Sequence, residues 1–217
     1  VIANNVANAS TTGFKSNHAI FAEHIAATKD GSDSLSMGSL AGHNFNLSQG
    51  GMKHTGGQFD LAIHGDGFFV LQTPAGERLT RAGAFLVSPE GNLVDNFGNQ
   101  VMGAGGGAIT IPAEVSRVAI APDGTVSSGQ EIFGQIGVVV TEGQLNQEGG
   151  TMFVAPDGYQ QVEEPNVIQG TLEQSNVSSI LEISRLIEVQ RAYEAGQSLI
   201  EKEDERLNQL IKTIRQL

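Results

Sequence analysis

Residues 177–217 carry one long helical pattern with no proline and a single glycine, Gly196, and the apolar seam along it has no evident partner elsewhere in the chain. Counting in sevens from Leu186 gives Tyr193, Ile200, Leu207 and Ile214, and the row three residues on gives Val189, Gly196, Glu203, Leu210 and Leu217. The first row is wholly apolar; the second is interrupted at Gly196 and Glu203. Side chains spaced in this way share one side of a helix and suit helix-to-helix packing of the coiled-coil type. About 41 residues at about 1.5 Å each reach roughly 60 Å, more than a compact domain of this chain needs for its own core. Alone in water such a helix is marginal. The pattern therefore predicts assembly, with Leu186, Val189, Tyr193, Ile200, Leu207, Leu210, Ile214 and Leu217 as the interface. The competing reading folds the same seam back onto the rest of the chain.

Before that helix, composition favours short strands and turns. Gly occurs 28 times in 217 residues, charged residues make up only 17%, and Asn, Ser and Thr punctuate the chain up to about residue 170. The length suffices for one or two domains with a real core. A net charge of −12, with no run of Lys and Arg longer than a pair, would repel a phosphate backbone, so nucleic acid is not expected as a partner. Cysteine is absent, which removes disulfides, thiolate metal sites and cysteine nucleophiles together. No run approaches the roughly 18 apolar residues of a membrane span, so no direct membrane insertion is expected. Residue 1 is Val, and the natural N-terminus is expected to lie upstream, where a leader would be out of view.

Three segments follow. Residues 1–58 read as the end of an N-terminal helix, stopped by Ser10, Thr11, Thr12 and Gly13, followed by extended or irregular chain rich in Gly, Ser and His. Residues 59–165 read as a central all-β, antiparallel, hairpin-rich domain, with apolar runs at 59–63, 68–72, 84–87, 93–94, 109–111, 115–121, 132–140 and 153–155. Four of the six prolines stand in Pro-x-Gly units, at 74–76, 89–91, 122–124 and 156–158, where Pro presets φ and Gly accepts positive φ; such units are expected to close hairpins. Residues 166–217 read as a linker and the long amphipathic helix, which begins at Ser175-Asn176 or at the capping pattern Ser179-x-x-Glu182. The fold class is thus mixed: a β-domain flanked by N- and C-terminal α-helices that pair in coiled-coil fashion.

Candidate chemistry is weak. Met102 to Ala108 contains the spacing G-x-G-x-x-A, but a short strand ended by Pro112 follows where a phosphate-binding loop would need a helix, so a glycine-rich loop is the better reading. His18, His24, His43, His54 and His64 have no metal-ligand spacing. Asp123 and Asp157 precede Gly in turns without the acidic series of a calcium loop. No G-x-S-x-G elbow sets a nucleophile beside a base, and the carboxylates at 163–164 and 203–205 sit in polar stretches. No catalytic, cofactor-binding or metal site is assigned, and no enzyme activity or cofactor is expected.

Three stretches in order resemble the flagellar rod and hook family of axial proteins: IANNVANASTTGF at 2–14, FDLAIHGDGFFVLQTPAGERLTRAGAFLVSPEGNLVDNFGNQVMG at 59–103, and GTLEQSNVSSILEISRLIEVQRAYEAGQSLIEKEDERL at 170–207. Within that family the short chain, Ala195-Gly196-Gln197 and the continuation Lys202-Glu203-Asp204-Glu205-Arg206 are most similar to a proximal-rod member, with a distal-rod or hook subunit as the alternative. The resemblance implies a structural, torque-transmitting subunit of the basal-body rod in the periplasm, exported unfolded through a narrow channel. Its implied partners are other copies of itself and neighbouring proximal- and distal-rod proteins, met head-to-tail. A secreted β-rich adhesion module and a hydrolytic enzyme rank below this.

Overall fold

The computed structural model describes residues 1–26, 35–115 and 117–215. It is mostly antiparallel β-sheet, with a short helix α1 (Ile2–Ala7) at the start and a long helix α2 (Ser179–Arg215) at the end. Helix α1 stops where the Asn8 side chain turns back, its Nδ2 donating to the Asn4 carbonyl at 2.9 Å and its Oδ1 accepting from Thr11 at 3.2 Å. The chain then reverses at Gly13, which sits at φ +70°; a Cβ there would lie 2.3 Å from the Ala82 amide nitrogen. Only glycine meets both demands.

Within residues 1–58, β1 (Asn17–Ala26) and β2 (Leu35–Phe45) form a long hairpin, running from Asn17 opposite Phe45 to Ala26 opposite Leu35 with a register shift at Ile20/Phe21. Phe21, Ile20 and Leu40 are exposed on it, so burial is confined to its root. There Asn17 is buried and the Phe45 ring meets Phe153 edge-on at 5.2 Å. Strand β3 (Met52–His54) follows.

The β-domain is built around β4 (Leu61–Ile63), β5 (Phe68–Thr73) and β6 (Gly76–Thr80). In the largest sheet β5 lies between β6 and the strand Gln100–Val101, and it also pairs with Val138–Val140. Strand side chains alternate faces. Phe69 and Leu71 accordingly enter one core with Leu61, Ile63, Leu93, Val101 and Ile136, while Phe68 and Val70 enter a second with Leu79, Val139 and Phe153. Both faces of β5 are covered, which explains its unbroken apolar run rather than an alternating one. A three-stranded sheet of Ala119–Ile120, Thr125–Ser128 and Glu131–Gln135 adds Ile120 and Val126 to the first core.

Three Pro-x-Gly units join paired strands: 74–76 between β5 and β6, 89–91 between Leu86–Val87 and Leu93–Val94, and 122–124 between Ala119–Ile120 and Thr125–Ser128. The fourth, at 156–158, makes a turn without closing a hairpin, because Gln160–Gln161 pairs with Val138–Val140 instead of with Met152–Val154. The chain then comes back along the domain. Val167–Gln169 pairs with β4 and Thr171–Glu173 pairs with β3 before α2 begins.

Candidate assembly interface

Helix α2 is exposed along most of its described length. Along it, i to i+3 and i to i+4 pairs join Glu182 with Arg185, Gln190 with Glu194, Gln197 with Glu201, Glu203 with Arg206, and Asp204 with Asn208. Pairs of this kind are worth a few tenths of a kcal/mol each. At 37 residues the helix is about 55 Å long. Among its described residues only Glu182 is buried.

The seam expected from sequence therefore lies in solvent: Leu186 is 42% exposed, Val189 55%, Tyr193 73%, Ile200 71%, Leu207 52% and Leu210 53%. Ile214 belongs to the helix, but its side chain, like all of Leu217, lies outside the described residues. Ile180, Leu181, Ile183, Ile187, Leu199 and Ile211 are exposed as well. A count in strict sevens does not reach these residues. The signal for them is the i, i+3, i+7 spacing of Ile180, Ile183 and Ile187, which widens the stripe near the start of the helix. Contiguous exposed apolar surface of this extent is uncommon on soluble monomers.

Where α2 leaves the β-domain it is tied down by polar groups that no sequence pattern singled out. Glu173, fully buried, accepts from the Lys15 ammonium at 2.6 Å and the Gly50 amide at 2.9 Å through Oε1, and from Arg81 at 3.2 Å through Oε2. Lys15 also donates to the Ser48 carbonyl, and Arg81 donates to the carbonyls of Ile63 and Gly65 while its guanidinium lies 5.5 Å from the centre of the Phe68 ring. Burial pulls both cations below their ordinary values, and the neighbouring Glu173 carboxylate is the main influence opposing it.

Two further ties follow along the chain. Asn176 accepts from the Ser16 amide at 2.8 Å through Oδ1 and donates to the carbonyls of Asn46 and Ser48 through Nδ2. Asn5, in α1, exchanges bonds with the backbone of Asn17 and donates to the Glu182 carboxylate at 3.2 Å. Helix α2 starts at Ser179, and Glu182 faces Asn5 and Arg185. The start at Ser179 is one of the two expected from sequence; the long-range ties of Asn176 to Ser16 and of Glu182 to Asn5, each spanning more than a hundred positions, are not.

The glycine-rich stretch at 102–108 is a tight loop in which Gly103 donates to Gly107 and Gly106 to Gly103. Among the described residues no group of three or more His, Asp or Glu is placed to hold a metal ion. Asp123 serves its own turn, accepting from the amide and hydroxyl of Thr125, both at 2.9 Å.

Comparison with known proteins bears on the same three regions. The family described as flagellar basal body rod protein matches residues 1–15, the D1 domain of flagellar hook protein FlgE/F/G matches residues 62–128, and the C-terminal region of flagellar basal body rod FlgEFG protein matches residues 168–213. The chain is 42% identical over 205 residues to flagellar basal-body rod protein FlgF of Caulobacter vibrioides, spanning 90% of this chain and 82% of that protein. It is 32% identical over 224 residues to FlgF of Mesorhizobium japonicum, spanning 98% and 90%. To flagellar basal-body rod protein FlgG of Bacillus subtilis it is 30% identical over 240 residues, spanning 97% and 91%.

Proposed function

The chain belongs to the flagellar basal-body rod proteins of the FlgF type, and from that membership we propose a structural subunit of the proximal rod that polymerises head-to-tail through its terminal helices. Its place is the rod of the flagellar basal body, among other rod components. The observation that carries the mode of assembly is the exposed stripe on α2: a helix about 55 Å long with Tyr193 and Ile200 more than two-thirds in solvent. Water disfavours such a surface, and packing against helices of neighbouring subunits would remove it.

In this reading α2 pairs in coiled-coil fashion with helical segments of other subunits through Leu186, Val189, Tyr193, Ile200, Leu207, Leu210, Ile214 and Leu217. The β-domain lies outside the helical layer and touches its neighbours. One surface meeting a different surface on the next copy does not close on itself, so the product is a helical rod able to carry torque from motor to hook. The partners are further copies of this chain and adjoining rod proteins. The role needs no cofactor and no catalysis.

The test is a charge placed in the stripe. Ile200→Asp or Leu207→Asp leaves the β-domain's melting transition unchanged and abolishes motility and rod assembly in a strain lacking its own FlgF-type protein. Full motility with either change would refute the seam as the interface. A FlgG-type position in the rod is the second reading, favoured by the near full-length similarity to FlgG. It is separated from the first by complementation: rescue of a strain lacking its FlgG-type protein, and not of one lacking FlgF, would establish it.

A further inference from the structure

Three side chains on the way into α2 reach back to the N-terminal segment: Glu173 to Lys15, Asn176 to Ser16, and Glu182 to Asn5. Only Glu173 also grips the β-domain, through Arg81, which is itself pinned by the carbonyls of Ile63 and Gly65. One carboxylate thus joins three parts of the molecule. Each of its oxygens holds a different cation, and the backbone beside it is clamped too: the Glu173 carbonyl accepts from Gly13 at 2.8 Å, and Gln174 donates to Gly51 at 2.8 Å. Gly50 passes so close that a Cβ there would lie 2.0 Å from the Gln174 carbonyl oxygen.

Stability is a poor explanation for this arrangement. Apolar side chains of similar size usually do as well as a buried ion network or better, and this network is incomplete, since Arg81 Nε has no protein partner. In some proteins buried ions with fixed directional bonds instead specify one geometry. We propose, building on the rod-subunit reading, that Glu173 is a positioning residue for assembly: by holding Lys15 and Arg81 on its two carboxylate oxygens it fixes the direction in which α2 leaves the β-domain, and so where the apolar stripe is presented. A stripe pointing in a spread of directions would meet its neighbours only in the fraction of molecules aimed correctly.

The chain's lack of cysteine makes the test clean. Nitroxides attached at Gln130→Cys on the β-domain and Gln197→Cys on α2, both exposed positions, report the distance between the two by pulsed electron paramagnetic resonance on the soluble monomer. The parent protein gives one narrow distance distribution. Glu173→Gln broadens it, by about twofold or more. Because that change strands two buried cations, the deciding variant is the apolar replacement Lys15→Met, Arg81→Leu, Glu173→Leu: its β-domain melts at or above the parent temperature, its distance distribution is as broad as that of Glu173→Gln, and it does not restore rod assembly. A narrow distribution in the triple variant overturns the proposal. So does loss of the melting transition, which would make the network a stability element. The distance is read on the monomer, so failure of the parent chain to complement a rod-deficient strain counts against the rod-subunit reading and leaves the evidence on Glu173 intact.

Discussion

Two regions of this molecule use the same apolar residue types to opposite ends. In the β-domain Leu61, Phe69, Leu93, Val101, Val126 and Phe153 are wholly buried; along α2 Leu186, Tyr193, Ile200, Leu207 and Leu210 are between 42% and 73% exposed. Composition does not separate the two sets. Topology does. Strand β5 finds sheet neighbours on both edges and covered cores on both faces within one chain, whereas α2 departs from the sheet at Ser179 and, among the described residues, packs on little beyond α1 near its root. The lesson is that a β-sheet can close its hydrophobic surface locally, while a helix about 55 Å long cannot. Its stripe stays exposed along the described length of the helix.

The largest expected effect tests that contrast directly. Phe69→Ala or Phe153→Ala removes a fully buried ring and lowers monomer stability by about 3–5 kcal/mol, whereas Leu207→Ala changes it by no more than about 0.5 kcal/mol. Chemical denaturation of the three monomers followed by a β-domain probe reads both numbers. A cost above about 1 kcal/mol for Leu207→Ala would mean that the stripe is already covered within the chain, and the contrast would be gone.

Next in size is the boundary between the regions. Gly13 needs a positive φ and sits against the backbone of Arg81 and Ala82. Gly13→Ala is therefore expected to cost on the order of 1–3 kcal/mol, from strain and a forced backbone shift. Hydrogen exchange locates the damage: faster exchange at residues 13–17 and 171–183, with the amides of β5 unchanged. Uniformly faster exchange across β5 would show that the junction and the sheet are one cooperative unit.

How much of this was legible in the sequence follows the range of the interactions. Turn chemistry is local, so the Pro-x-Gly units at 74–76, 89–91 and 122–124 announced hairpins correctly; the unit at 156–158 did not, since a turn's residues fix its bend and not the partner of the strand that follows. The 37-residue helix is legible from its period and its start at Ser179 is one of the two expected, but the tertiary ties of Asn176 to Ser16 and of Glu182 to Asn5 are not. The β1–β2 hairpin reads from sequence as extended or irregular chain: beyond its root, its residues of described burial are mostly exposed on both faces, so they carry no apolar alternation to read. Strand β6 is hidden for a related reason: Glu77 is exposed and Arg78 half-buried, and only Leu79 and Thr80 are buried, too few residues to make an apolar run. The ions at Lys15, Arg81 and Glu173 were least legible of all. Partners 158 and 92 positions apart leave no mark in a single sequence, and a Lys beside Phe14 reads as a surface charge until the structure buries it.

The smallest effect concerns a turn at the surface of the β-domain, set against the side-chain pairs along α2. Asp123 accepts from the amide and the hydroxyl of Thr125, and these bonds hold its carboxylate below the ordinary value of 3.8. An acid whose folded value is depressed releases its proton more readily in the folded state. The unfolded chain therefore binds more protons in the window between the two values, and stability rises with pH there. The contribution is complete above 3.8 and is lost as pH falls through the lower folded value. Asp123→Asn keeps an oxygen acceptor and the turn habit but has no proton to titrate. The difference in melting temperature between it and the parent should accordingly be small, flat from neutral pH down to about pH 4, and then shrink as acid protonates the parent's carboxylate. The pairs on α2 are expected to leave no such trace in the melting of the β-domain, because Glu203→Gln or Asp204→Asn alters a helix that the sheet does not rest on. If either change shifts that melting as Asp123→Asn does, the two regions are coupled in the monomer, and the exposure of α2 does not make it independent of the sheet.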